Sequence, residues 1–411
     1  MSMIAEKDKQ IVRELAKQYM EKVCSEKQEK MRKRFRDTND LKPCRPPVIL
    51  DEIPWYQMNM DGELDCICES EQVRPVELHF RKALFYMKHF KADNHFEPFF
   101  RLKRAVDSTG IGVEWKAVDL KRTDSINNIV SREFEDVLAD EAALEQMHDP
   151  VFTLRPDKDA AQMEFYTELF GDAIPVKLYG FGFFYYAPWD KITRLRGVEP
   201  ILIDLYDRPE YLHRIMEKFT SAAHAELDFV EKNLDVDNPS SLHCTPGDIS
   251  GLTSNGLKGT WCRSMAQSFG TISPAMFREF EVDYLHSVAQ RFSYTYYGCC
   301  EPLDDRISVL KKIANLRKIG CSPWANVEKT AEQIGGDYVL SRKPNPANVA
   351  IRTDPEVILR ETEETVRACM RYGCPYDIVL KDISTVSSRP ENLIVWAQTV
   401  SDVLDRYYGE A

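Results

Sequence analysis

Ser293-Tyr-Thr-Tyr-Tyr-Gly-Cys-Cys-Glu-Pro-Leu-Asp-Asp305 decides how the fold is read. After Ser293 the residues are aromatic or β-branched, which predicts a buried strand. Gly298 ends the run, and two thiols and a carboxylate follow at once: Cys299, Cys300 and Glu301. Pro302 and Asp304 then open a helix with Ile307, Leu310 and Ile313 at helical spacing. Reactive side chains between a strand's end and a helix's start are where parallel α/β proteins keep their chemistry.

Downstream, the same unit recurs. A strand at Leu316 to Ile319 ends in Cys321-Ser-Pro-Trp324, and a helix starts at Val327. A strand at Asp337 to Leu340 ends in Arg342-Lys343-Pro-Asn-Pro346 before a helix from Pro355 to Tyr372. A strand at Tyr376 to Leu380 ends in Lys381-Asp382 before a helix near Glu391 to Leu404. Four strand–helix units in roughly 110 residues predict a parallel sheet. Upstream, strands are expected at Val48 to Pro54, Asn94 to Pro98, near Val113, Ile174 to Leu178 and Ser241 to Cys244. Helices are expected at Val73 to His89, Ala139 to Met147 and from Asp207 to Leu234. The count approaches eight, so the expected fold class is α/β, a (β/α)8 TIM barrel over residues 46–411. Residues 1–45 form a charged helical arm, ended by the prolines at 43, 46 and 47. No glycine-rich phosphate loop follows any strand, which argues against a nucleotide fold.

Composition narrows the class. The chain has 411 residues, 43% of them hydrophobic, enough for a sizeable core. A net charge of −12 argues against nucleic acid and anionic membranes as partners. Met1 to Arg13 has no apolar core and Phe181 to Trp189 is too short to span a bilayer, so a cytoplasmic enzyme is expected. The 11 cysteines are an odd number and read as reduced thiols, most of them small buried hydrophobes.

In a barrel all strand C-terminal ends meet at one mouth. Glu97, His243, Cys299 to Glu301, Cys321, Lys343 and Asp382 then become neighbours. The candidate metal ligands are Cys299, Cys300, His243 and Glu301, thiolate, imidazole and carboxylate being what zinc takes. No Cys-x-x-Cys or His-x-x-x-His pair supports them, and strand alternation lets only one of Cys299 and Cys300 face the mouth. The candidate catalytic groups are His243, Glu301, Lys343 and Asp382. The candidate substrate contacts are Glu97, Tyr179, Tyr297 and Trp324. The bland reading stays open for each: packed thiols, a core histidine, a surface lysine, an internal Lys381–Asp382 ion pair, an aromatic core edge.

From about Pro47 to Tyr407 the chain resembles the uroporphyrinogen decarboxylase-like superfamily. The resemblance rests on the order of elements, on Ile174-Pro-Val-Lys177, on Ser264 to Glu279 with its Ser273-Pro274 helix start, on Tyr296-Tyr-Gly-Cys-Cys-Glu301 and on Ser322-Pro-Trp324. It implies a barrel with its site at the strand C-terminal mouth, and either tetrapyrrole decarboxylation or zinc-dependent methyl transfer involving a corrinoid or a thiol. The decarboxylases carry arginines after the first strand. Here that place reads Pro54 to Glu63, with Asp61 and Glu63 instead. The methyltransferases carry a His-x-Cys pair where this chain has Tyr297-Gly-Cys299, and a later Cys that falls around Lys343. The resemblance therefore implies a zinc-assisted, corrinoid-linked methyltransferase of anaerobic metabolism. Its substrate would be an aryl methyl ether or a methylamine-like compound, with a corrinoid protein and a second copy of the chain as candidate partners. The alternatives are a decarboxylase or lyase of a small carboxylic acid, and a non-catalytic corrinoid or tetrapyrrole binder.

Overall fold

Short runs of apolar and aromatic residues, each followed by a polar tip and a helix, set the architecture. The computed structural model describes residues 4–94, 96–120, 132–236, 252 and 254–409. Among them, seven strands form one parallel sheet: β1 Val48–Leu50, β2 Phe184–Tyr186, β3 Trp261–Ser264, β4 Tyr294–Tyr297, β5 Leu316–Cys321, β6 Val339–Arg342 and β7 Tyr376–Leu380. Their order is β1-β7-β6-β5-β4-β3-β2, with Val48 opposite Ile378 and Tyr297 opposite Ser264. β3, β6 and β7 are buried at every position, as strands covered on both faces must be.

The helices that cover the sheet follow from local sequence. Ser273 caps its helix by accepting a hydrogen bond from Met276 N at 3.2 Å. Asp354 caps Pro355–Tyr372 through Glu356 N at 2.9 Å, and Gly373 ends that helix in the left-handed conformation. Trp189, Trp261 and Trp396 are fully buried, and cutting any of them to alanine should cost about 3–5 kcal/mol. In the helical arm, Val12, Ala16 and Tyr19 pack on Phe80, Ala83 and Phe170 of the same chain.

The sheet curls but does not close, so the expected closed (β/α)8 barrel is corrected to a barrel-like open sheet. Phe100–Lys103 and Val176–Tyr179 pair with each other in parallel and join neither sheet edge. Chain length accounts for one of the two gaps, that between Val176–Tyr179 and β2. Only four residues separate Tyr179 from Phe184. A parallel neighbour needs a crossover of a dozen residues or more. The strand expected near Val113 is absent; the antiparallel pairs Val106–Ser108 with Phe152–Leu154 and Ala117–Asp119 with Arg132–Phe134 occupy that region. The helix expected at Ala139 to Met147 is a short 3-10 turn, Glu141–Gln146. The expected tip Ser241 to Cys244 lies outside the described residues. Among the described residues no helix is long and apolar enough to cross a membrane.

Candidate active site at the strand ends

The site begins with the exit from β4. Alternation along the strand sends Tyr296 to one face and Tyr297 to the other. Tyr297 is fully buried against Phe277, ring centres 5.7 Å apart. Gly298 then takes φ +107°, where a side chain is strained. A Cβ there would also lie 3.2 Å from Gly320 N and 2.6 Å from the Leu303 side chain. This turn delivers Cys299 and Cys300 to the end of the sheet with their sulfurs 3.5 Å apart.

The exit from β7 supplies the other half. The Cys300 thiol donates to Asp382 Oδ2 at 3.0 Å, and Lys381 Nζ binds both Asp382 oxygens at 2.9 Å. Lys381 Nζ also lies 3.8 Å from the Cys300 sulfur and 3.8 Å from Glu52 Oε2. Asp382 and Glu52 both sit in the left-handed region, φ +59° and +51°, and Asp382 N donates to Glu52 Oε2 at 2.7 Å. Strained non-glycine residues held by hydrogen bonds are characteristic of functional sites.

Charge sorts the two thiols. The hydrogen bond from Cys300 holds the Cys299 thiol well below its usual range against burial, and Lys381, Arg263 and Lys343 add to this. Cys300 moves the other way, raised by its bond to Cys299 and by burial. Cys299 is therefore the more readily ionised thiol of the pair, and Cys300 has one proton to share between the Cys299 sulfur at 3.5 Å and Asp382 Oδ2 at 3.0 Å. Burial works against the charge on Lys381, but Cys299 and Asp382 outweigh it and its pKa is raised. Glu301 is buried; burial pushes its carboxyl up to about 7. Its Oε2 accepts from Cys299 N at 3.0 Å, and its Oε1 has no hydrogen-bond partner among the described residues.

Beneath the thiols lies a buried polar layer. Lys343 Nζ donates to Tyr296 Oη, to Ser341 Oγ at 2.8 Å and to Ser341 O at 3.1 Å. Ser341 Oγ donates to Asp377 Oδ1 at 2.6 Å, and Lys318 Nζ binds Asp377 Oδ2 at 2.7 Å with both side chains 1% exposed. Arg263 stacks on Tyr296, 4.5 Å from the ring centre. The layer carries three cations and one carboxylate, so it favours negative charge in the space above it.

Cys299, Cys300, Glu301, Lys343 and Asp382 thus come together. Glu97 does not join them: it precedes Phe100–Lys103 rather than ending a strand, and its carboxylate binds Arg101 at 2.5 Å. Tyr179 lies in the separate strand pair with Arg101 over its ring at 4.9 Å, and Trp324 is 72% exposed. Cys321 points toward Arg342 Nη1 at 3.7 Å. His243 lies outside the described residues. Sequence reasoning missed Arg263 and Lys318. Their signal was a charged residue inside a strand.

The spacing of the thiol pair bears on zinc. Two thiolates on one tetrahedral zinc stand about 3.7 Å apart, given Zn–S bonds of about 2.3 Å. The sulfur separation suits that. Among the described residues, however, no three His, Cys, Asp or Glu side chains converge to hold a metal ion. These residues do not complete a zinc site by themselves.

No protein-family model matches the chain, and no curated protein does. Among solved structures, a methyltransferase from Methanosarcina mazei matches 92% of this chain and 99% of its own length, with a TM-score of 0.50 and 14% identity. The likeness is one of fold.

Proposed function

We propose that the chain is a methyltransferase that moves a methyl group between a small methylated substrate and a corrinoid. The observation that carries this reading is the Cys299–Cys300 pair, set among Lys381, Lys343 and Arg263 at the strand ends. A cation-stabilised thiolate is a soft nucleophile, suited to methyl groups and soft metals. Glu301, with a pKa near neutrality, suits it to give a proton to a leaving oxygen or nitrogen. The fold likeness to a methyltransferase and the resemblance to the uroporphyrinogen decarboxylase-like superfamily agree with this reading. Zinc belongs to it as a further proposal, with His243 as the ligand to be tested beside the two thiols. So do a cytoplasmic setting, a corrinoid protein partner and a homodimer.

The test supplies purified protein with reduced cobalamin and a panel of methoxylated aromatics and methylamines. Methylcobalamin is read by its absorbance. Formation from one class, falling on the order of 100-fold or more in Cys299→Ala, is expected. No methylcobalamin from any donor, or an unchanged rate in Cys299→Ala, overturns the reading. Metal analysis of the same protein should give about one zinc per chain, lost in Cys299→Ala, Cys300→Ala or His243→Ala. Full occupancy in all three removes zinc from this site.

One observation favours a second reading. Lys343, Lys381 and Arg263 would also hold a carboxylate, as a decarboxylase or lyase of a small acid requires. Release of carbon dioxide from a carboxylic-acid panel, without methylcobalamin, would select it.

A further inference from the structure

A cleft of about 510 Å³ opens beside β2, outside the thiol cluster described above. β2, the helix Pro209–Asn233 and the segment from Gly110 to Trp115 line it. Its walls carry Trp115, Phe184, Tyr185, Tyr186 and Phe219. Two of these rings are left open to water: Trp115 is 45% exposed and Tyr185 42%. Exposed aromatics at the rim of an apolar cleft mark a ligand site.

Two acids line the cleft, Glu114 exposed and Glu226 partly buried. Glu226 lines the cleft from the helix, is partly buried, and makes no hydrogen bond or ion pair among the described residues. Burial pushes its carboxyl up, and Lys191 and Lys103 pull it back down from a distance. Both lysines are exposed and neither reaches ion-pairing range of Glu226. A half-buried carboxylate without a cation is costly, and a bound cation removes that cost.

The cleft also adjoins the thiols. Ala187 lines it and packs with Met265 against Cys299. The Tyr185 hydroxyl donates to Met265 Sδ at 3.2 Å. Cleft and thiol site therefore share a wall.

We propose that this cleft binds the methylated substrate, and that the substrate is an organic cation, a methylated ammonium compound; this rests on the methyl-transfer reading above. Methylated ammonium groups have apolar surfaces and a diffuse positive charge, the combination that aromatic faces and a carboxylate attract. A neutral aryl ether would bury Glu226 further without compensation. The lining carries two acids, Glu226 and Glu114, against one lysine, Lys191, so an anion is disfavoured there. Trp115 already has one cation near it, Arg132 at 5.7 Å from its ring centre, held in turn by Asp119 at 2.9 Å.

The experiment is calorimetric titration of the full chain with choline, and with 3,3-dimethylbutanol as its neutral carbon counterpart. Choline should bind about tenfold or more tightly than the alcohol, and that preference should disappear in Glu226→Gln and shrink in Tyr185→Leu. Lys191→Ala, an exposed change that leaves the fold alone, should tighten choline severalfold and gives a readout if Glu226→Gln does not fold. Equal affinity for the two ligands overturns the assignment, as does choline binding indifferent to both Glu226→Gln and Lys191→Ala. Methyl transfer from methoxylated aromatics with no choline binding sinks the cleft assignment and leaves the methyl-transfer reading. Glu226-dependent choline binding with no methyl transfer from any donor keeps the cleft as a cation site and sinks the methyl-transfer reading.

Discussion

Residues 261–380 and residues 96–236 are built differently. In the first region every strand is followed by enough chain for a helix, and β3 to β7 lie side by side in sequence order. In the second, every strand but β2 pairs two by two, and Val106–Ser108 and Ala117–Asp119 are largely exposed. The difference separates two jobs. Regular spacing brings strand ends together and so gathers thiols, lysines and acids. The irregular region adds walls, and the aromatic cleft is one of them.

That contrast should appear in stability and reactivity. The largest effect is expected for Asp377→Ala, which strands Lys318 in the interior of the regular region. A loss of about 3–5 kcal/mol should show in denaturant melts. A loss under about 1 kcal/mol would mean that this layer is not the anchor described. Next comes Glu281, fully buried behind β3 with Ser264 Oγ donating to it at 3.1 Å. Burial raises its pKa to about 8 from an ordinary 4.5, so the folded chain holds the proton more tightly than the unfolded one. The resulting stability is complete below about pH 4.5 and is lost as pH rises through about 8. Glu281→Gln should flatten the wild-type decline over that window, a change of a few kcal/mol, on the order of 3–5. An unchanged slope would place the proton elsewhere.

A smaller effect is expected at the thiols. Lys381→Met removes one of the cations that support the Cys299 thiolate. Alkylation of Cys299 by iodoacetamide, followed by mass spectrometry near pH 6, should slow about tenfold, one pKa unit. The smallest belongs to the irregular region. Asp119→Asn breaks an exposed pair with Arg132 and should cost under about 1 kcal/mol. A cost there as large as that of Asp377→Ala would erase the distinction between the two regions.

The same division governed what the sequence disclosed. The helices Pro355–Tyr372 and Arg74–His89 and the strand Tyr376–Leu380 stood within a residue of where apolar spacing, proline and glycine put them. Cys299, Cys300, Glu301, Lys343 and Asp382 met because strand ends meet. Glu97 went astray because Asn94 to Pro98 had the composition of a strand tip, while the strand itself starts at Phe100 and pairs with Val176. Barrel closure was unreadable for a similar reason. Val176–Tyr179 and Phe184–Tyr186 each resemble a barrel strand, and only the four residues between them forbid the crossover. Arg263 and Lys318 escaped notice because local pattern does not reveal which face of a strand meets a buried carboxylate or ring.

The close approach of Gly298 and Gly320 has a consequence for how this protein can change. Their backbones leave little room for a side chain at either position, a Cβ on Gly320 lying 3.1 Å from Gly298 C, so close main-chain packing sets the path of the loop bearing the thiols. Cys299 and Cys300 have no positive φ, so a change of side chain at either leaves the turn's demand on glycine untouched. Gly298 cannot be exchanged without moving everything mounted on it. Chemistry and support are thus inherited separately: new reactivity is one codon away at the sulfurs, while the two glycines hold every such experiment in the same place.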